Sequence, residues 1–164
     1  MAGWQLTTGG TVDSTPDMTV VSLNTAIACD GEITKWRYRA GISQPFRAIV
    51  WRQVSLAASS TQFKIVGIND IPAGVIDTDV THYVPSDQRI YVAAGDLIGW
   101  TAVTSVLRYR DGGTTTLRHT VTEDPAALQT HRIIDINLGP LNREYTIQAV
   151  VEQGSTQCKL LSII

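Results

Sequence analysis

Long apolar runs are absent: no stretch of the 164 residues approaches the ~20 needed to cross a bilayer as a helix, so no membrane insertion is expected. The start, Met1-Ala2-Gly3-Trp4-Gln5, has no charged segment followed by an apolar one, as expected of a mature or cytosolic form. An excess of charge of one sign is missing too. Thirteen basic residues against fifteen acidic ones leave a net charge of −2, which builds no positive field for nucleic acid or an anionic membrane surface. Cysteine is scarce. Cys29 and Cys158 form no C-x-x-C pattern and leave three readings: one long-range disulfide, a cross-link between two chains, or two small thiols in a loop and a tail. There is no Asn-x-Ser/Thr sequon, hence no glycosylation evidence for secretion. Helical periodicity is equally thin, and only Pro125 to Thr130 reads as a single turn.

The local signatures of catalysis are also lacking. There is no Gly-x-Ser-x-Gly elbow, no lysine-bearing phosphate loop, no His-Glu-x-x-His and no cysteine cluster. His82, His119 and His131 each fall in or beside an expected strand, the usual place for a hydrogen-bonded structural imidazole. The chain is therefore expected not to be an enzyme. A hydrolase would require two acidic side chains facing each other in one cleft.

What is present is β structure. Hydrophobic residues make up 43% and charged residues 17%, the composition of a folded domain, and the length suits one domain over residues 1–164. Apolar residues recur with period two, or in short β-branched runs, between Gly, Pro, Asn, Asp and Ser. Ile33 to Ala40 puts Trp36 and Tyr38 on one face and Lys35, Arg37 and Arg39 on the other. About ten strands follow: 18–23, 33–40, 46–54, 62–69, 80–84, 89–92, 97–102, 106–110, 114–121, 132–138 and 145–152. The second, third and fourth read as a meander of consecutive hairpins. The fold class is all-β: an antiparallel two-sheet β-sandwich, jelly-roll-like, with little or no helix.

Two loop clusters are candidates for binding. Tyr109, Arg110 and Asp111 before a glycine turn offer a ring, a guanidinium and a carboxylate, and Glu123, Asp124 and Gln129 of a neighbouring loop are expected to join them. Sugar sites combine such acceptors and donors with a ring that stacks on the apolar face of the sugar. The long loop after the fourth strand carries Asn69, Asp70, Asp77 and Asp79, hard oxygens of the kind that ligate calcium. Asp96, after Gly95, reads as a turn residue capping nearby amides. The four tryptophans, Trp4, Trp36, Trp51 and Trp100, are expected in the core, with Trp4 the best candidate for an exposed platform.

The series Ile33-x-x-Trp36-x-Tyr38, Val50-Trp51-Arg52, Phe63-x-Ile65-Val66-Gly67 and Arg89-Ile90-x-Val92-x-x-Gly95-Asp96-x-Ile98-Gly99-Trp100 resembles the galactose-binding lectins of sea anemones over roughly residues 30 to 110. The resemblance implies a secreted, dimeric lectin that binds galactose or β-galactosides without catalysis, with calcium assisting at a loop site. A missing secretion signal fits a processed form. Weak single sites make a homodimer part of this expectation, since two sites raise avidity. The competing expectation is a non-catalytic jelly-roll interaction or assembly module, whose apolar tail Leu160 to Ile164 packs on a partner.

Overall fold

A computed structural model describes residues 10–23, 26–55, 60–121, 124–153 and 156–158, with 113–115 and 156–158 described by their backbone alone. The strands in chain order are β1 (Thr11–Val12), β2 (Met18–Ser22), β3 (Gly31–Arg39), β4 (Phe46–Gln53), β5 (Gln62–Ile71) and β6 (Asp79–Tyr83). They continue with β7 (Tyr91–Val92), β8 (Leu97–Ala102), β9 (Arg108–Val121), β10 (Ile133–Asp135), β11 (Leu138–Tyr145), β12 (Ile147–Gln153) and β13 (Thr156–Cys158). Two 3-10 turns, Ser86–Gln88 and Pro125–Ala127, are the helical elements among the described residues.

The strands form two antiparallel sheets. The larger runs β1-β9-β2-β8-β4-β5-β10, with β11 also on β9; the smaller runs β13-β12-β3-β6, with β7 also on β3. The all-β sandwich expected from the period-two pattern is therefore what the chain forms. Its main core lies between the sheets. Trp36, Tyr38, Ile147, Ala149 and Val151 from the smaller sheet meet Val20, Phe46, Ala48, Val50, Ile98 and Trp100 from the larger one. An edge-to-face contact of Tyr38 with Phe46, 5.1 Å between ring centres, ties the layers together, and Trp100 meets Tyr145 in the same way, also at 5.1 Å, within the larger sheet.

The alternation in β3 holds from Lys35 to Arg39. Trp36 and Tyr38 are buried while Lys35, Arg37 and Arg39 stay partly exposed on the outer face. By contrast, β2 and β8 are buried at every position, so the larger sheet must be covered on both faces. The cover is the connection from β9 to β11. Leu128 and Ile136 of that segment join Val21, Ile49, Trp51, Phe63, Ile65 and Leu97 in a second core on the sheet's outer side. Arg47 fastens the cover, its Nη1 donating to the carbonyls of Pro125, Ala126 and Leu128 at 2.9, 3.1 and 3.0 Å. Gly99 is required by this packing. A Cβ there would strike the Val20 carbonyl oxygen and lie 2.7 Å from Trp51 Nε1, the group that donates to that carbonyl at 3.2 Å.

Three expectations are corrected. The meander fails at its first step: β4 and β5 form a hairpin, but β3 lies in the other sheet, paired with β12, β6 and β7. Its tryptophan-bearing face needs the opposite layer, which a continuous meander would not supply. The turn at Asp111-Gly112-Gly113 is not a hairpin. Residues 108–121 form one strand, and the register jumps from Asn142↔Thr116 to Arg143↔Asp111, so a bulge with Gly112 at φ +79° takes the glycines' place in the turn. Residues 138–145 form β11, whose apolar alternation is too weak to read in sequence because four of its first five residues are exposed. Trp4, Glu123 and the tail from Leu160 to Ile164 lie outside the described residues.

Candidate functional site

The sequence-read cluster on β9 is brought together with β11, and its groups close on one another. Tyr109, Arg110 and Asp111 stand opposite Tyr145, Glu144 and Arg143. Arg110 donates to the buried Glu144, and Arg143 Nε donates to Asp111 at 3.1 Å. The Arg143 guanidinium also lies over the Tyr109 ring, 4.1 Å from its centre, so one stacking face of that ring is already occupied. Beneath them Asp13 Oδ2 accepts from Arg143 Nη1 at 2.6 Å and from the Tyr145 hydroxyl at 3.0 Å. Burial works against a charged Asp13, yet the Thr15 amide, the Tyr145 hydroxyl and the Arg143 charge hold its carboxyl below the usual carboxylate range. Burial and the Asp13 charge push the Tyr145 hydroxyl far above its ordinary value.

Asp124 and Gln129 do not join this cluster. They lie beyond the far end of β9, ten strand residues and roughly 30 Å from Asp111 at ~3.3 Å per residue. Asp124 caps the second 3-10 turn by accepting from the Ala126 amide at 3.0 Å, and the Gln129 carbonyl accepts from the Arg132 amide at 3.3 Å.

The calcium candidates are engaged separately. Asn69 is buried on β5, where its Oδ1 accepts from Trp36 Nε1 at 2.8 Å and its Nδ2 donates to the Gln88 carbonyl at 2.9 Å. Asp70 pairs with Arg47 at 2.9 Å, Asp79 with Arg39 at 2.7 Å, and Asp77 with Arg108. The Arg108 pairing holds the Asp77 carboxyl below its ordinary value. Among the described residues no three His, Cys, Asp or Glu side chains gather as a metal site would require. Asp96 caps the turn as expected, accepting from the Ala93 amide at 2.9 Å, and it also receives both forks of Arg52 at 2.7 and 2.8 Å.

His82 sits opposite Trp36 on the inward face of β6, and burial lowers its pKa. Burial likewise lowers that of His119 on β9. His131 stands in a turn at φ +70°.

A different site emerges on the outer face of the smaller sheet. An open groove of about 460 Å³ runs over the start of β3, between β7 and the end of β12. This is within the usual size of small-ligand sites. Antiparallel pairing builds it: Glu32 of β3 is directly opposite Tyr91 of β7 on one side and Glu152 of β12 on the other. Tyr91 is 66% exposed and offers an aromatic ring at the groove. Asp30, Arg89 and Gln153 complete the rim. Arg89 reaches Glu32 at 3.5 Å, Lys35 reaches Glu152 at 3.7 Å, and Asp30 Oδ1 accepts from the Ala94 amide at 2.8 Å.

Thr34 lines the same groove. It is only 5% exposed, and its hydroxyl oxygen is buried without a hydrogen-bond partner. β12 steps from Lys35↔Val150 to Ile33↔Val151, so Thr34 is the extra residue of a bulge. An unsatisfied buried hydroxyl costs free energy. Sequence reading missed the groove because its residues come from three strands that meet only by long-range pairing. The single local signal was alternation, which sets Glu32 and Tyr91 on outward faces. No protein-family model, curated protein or solved structure matches the chain.

Proposed function

We propose that the chain is a carbohydrate-binding domain that holds its ligand without turning it over, and that the groove over the start of β3 is its sugar site. One observation carries the reading: an exposed tyrosine ring, carboxylates, an amide and a guanidinium line one shallow hollow. The Tyr91 ring offers the platform on which a sugar's apolar face stacks. Glu32, Glu152 and the Gln153 amide accept from its hydroxyls, and Arg89 donates to its oxygens.

Glu32 and Glu152 face each other, as the acidic pair of a glycosidase would. Both are substantially exposed and each is approached by a cation, whereas general acid work needs a carboxyl sheltered from water. Binding is therefore favoured over hydrolysis.

Galactosides are the first ligands to test, because the sequence resemblance implies them. A secreted homodimer belongs to the same proposal, since two weak sites on one particle raise avidity. So does a disulfide between Cys29 and Cys158, the two cysteines of the sequence. Calcium enters as an arm of the assay. Asp70, Asp77 and Asp79 would have to release their arginines to ligate it.

The test is a glycan array probed with the intact chain, with calcium and with a chelator, followed by mass analysis of the bound glycan. Selective binding of intact galactosides that is lost on Tyr91→Ala supports the proposal. Cleaved glycan converts it to a hydrolase. Binding to nothing on the array refutes it and leaves the interaction module.

A further inference from the structure

Resting on the carbohydrate reading, we propose that the site continues from the groove along the outer face of the smaller sheet to Tyr83, and that its ligand is a glycan chain of two or more linked sugars rather than a single terminal one. The argument begins with two rings. Among the described residues Tyr83 and Tyr91 are the exposed aromatic side chains, at 68% and 66%.

Pairing sets them in one row. β6 and β7 lie along the same side of β3, with Tyr83 opposite Lys35 and Tyr91 opposite Glu32. Between them the Val84 amide donates to the Thr34 carbonyl and the Ile33 amide to the Ile90 carbonyl, each at 2.9 Å, so the row is continuous. His82 stands opposite the buried Trp36, and Val92 is wholly buried, so alternation turns both tyrosines to the outer face. Three residues of β3 separate their partners, which at ~3.3 Å per residue is roughly 10 Å. A single sugar does not bridge that separation; a chain of two or three does.

Side chains join the groove to the second ring. Glu152 lines the groove, Lys35 reaches it at 3.7 Å, and the Lys35 ammonium lies 5.5 Å from the centre of the Tyr83 ring. The ammonium steadies the ring from one face and leaves the other for the apolar face of a sugar. The same row is unsuited to a protein partner. Cores of protein interfaces are depleted in charge, whereas Glu32 and Lys35 stand between the rings with Glu152 beside them. Sugar hydroxyls use such groups, donating to the carboxylates and accepting from the ammonium.

Titration calorimetry of the full chain with methyl β-galactoside and with β-linked galactobiose, galactotriose and galactotetraose tests the extended site. Affinity should rise about ten-fold from the single sugar to the longest chain, with one glycan bound per protein, as a second stacked ring would give. In Tyr83→Ala that gain should fall below about two-fold, and in Tyr83→Phe, which keeps the ring, it should persist. Thermal melts of both variants should match the parent closely, because Tyr83 is a surface residue. Equal affinity for all four ligands overturns the inference and leaves the carbohydrate reading standing. A gain that Tyr83→Ala retains, or one that comes with two proteins bound per glycan, also overturns it. Binding of none of the four refutes the galactoside reading itself, and the inference with it.

Discussion

Replacing Thr34 with valine measures what a buried hydroxyl without a partner costs this fold. Valine keeps the β-branched shape that the strand favours, and it exchanges one buried oxygen for a methyl group. The Thr34 hydroxyl is buried and unpartnered, and such a group costs ~1 to 3 kcal/mol in desolvation that no bond returns. Removing it should stabilise the protein by about 1 kcal/mol, the low end because Thr34 borders an open groove. For a domain of this size that is a rise in Tm of roughly 2 to 4 °C, readable by calorimetry at neutral pH. A fall in Tm of comparable size would refute the reasoning, because it would mean that the hydroxyl is hydrogen-bonded in the native protein.

Leu128→Ala should cost about 3 kcal/mol by opening the second core on the outer side of the larger sheet; urea titration with an unchanged m-value checks it, and a loss under 1 kcal/mol would show the cover to be dispensable. Gly99→Ala should cost about 3 kcal/mol, because the new methyl meets the Val20 carbonyl and the Trp51 indole; near-neutral stability in the same titration would contradict the packing. Asp13 has a lowered pKa in the fold, so its contribution is complete above the unfolded carboxyl value and is lost as pH falls through the folded one, below about pH 4. Asp13→Asn should therefore be less stable than the parent at pH 7 and approach it in acid, as melting curves across that range would show. Burial lowers the pKa of His82 and His119, so the unfolded chain binds protons first, and stability should fall as pH drops below about 6.5; His82→Asn should flatten that part of the profile.

Local chemistry carried much of the structure in plain view. The alternation of Trp36 and Tyr38 with Lys35, Arg37 and Arg39 marked a strand with one dry face, and the strand has it. The strand Leu97–Ala102 was legible to the residue, and Asp96 before it caps the turn that its position suggested. Short-range signals sufficed here because a strand's faces and a turn's caps are decided within a few residues.

Partnership was not legible. The hairpin rule joins neighbours, yet β3 pairs with β12, more than a hundred residues away, because its aromatic face must meet the opposite sheet. The loop carboxylates looked like free ligands in sequence, and distant arginines claim them: Arg39 for Asp79, Arg47 for Asp70, Arg108 for Asp77. The sequence by itself determined the β class, the wet and dry faces and the turn chemistry, all properties of residues close along the chain. Only the tertiary structure decided which strands adjoin, and hence that Glu32, Tyr91, Glu152 and the unpartnered Thr34 share one groove. Strand pairing is settled by the burial of whole faces, and no short stretch of residues encodes that.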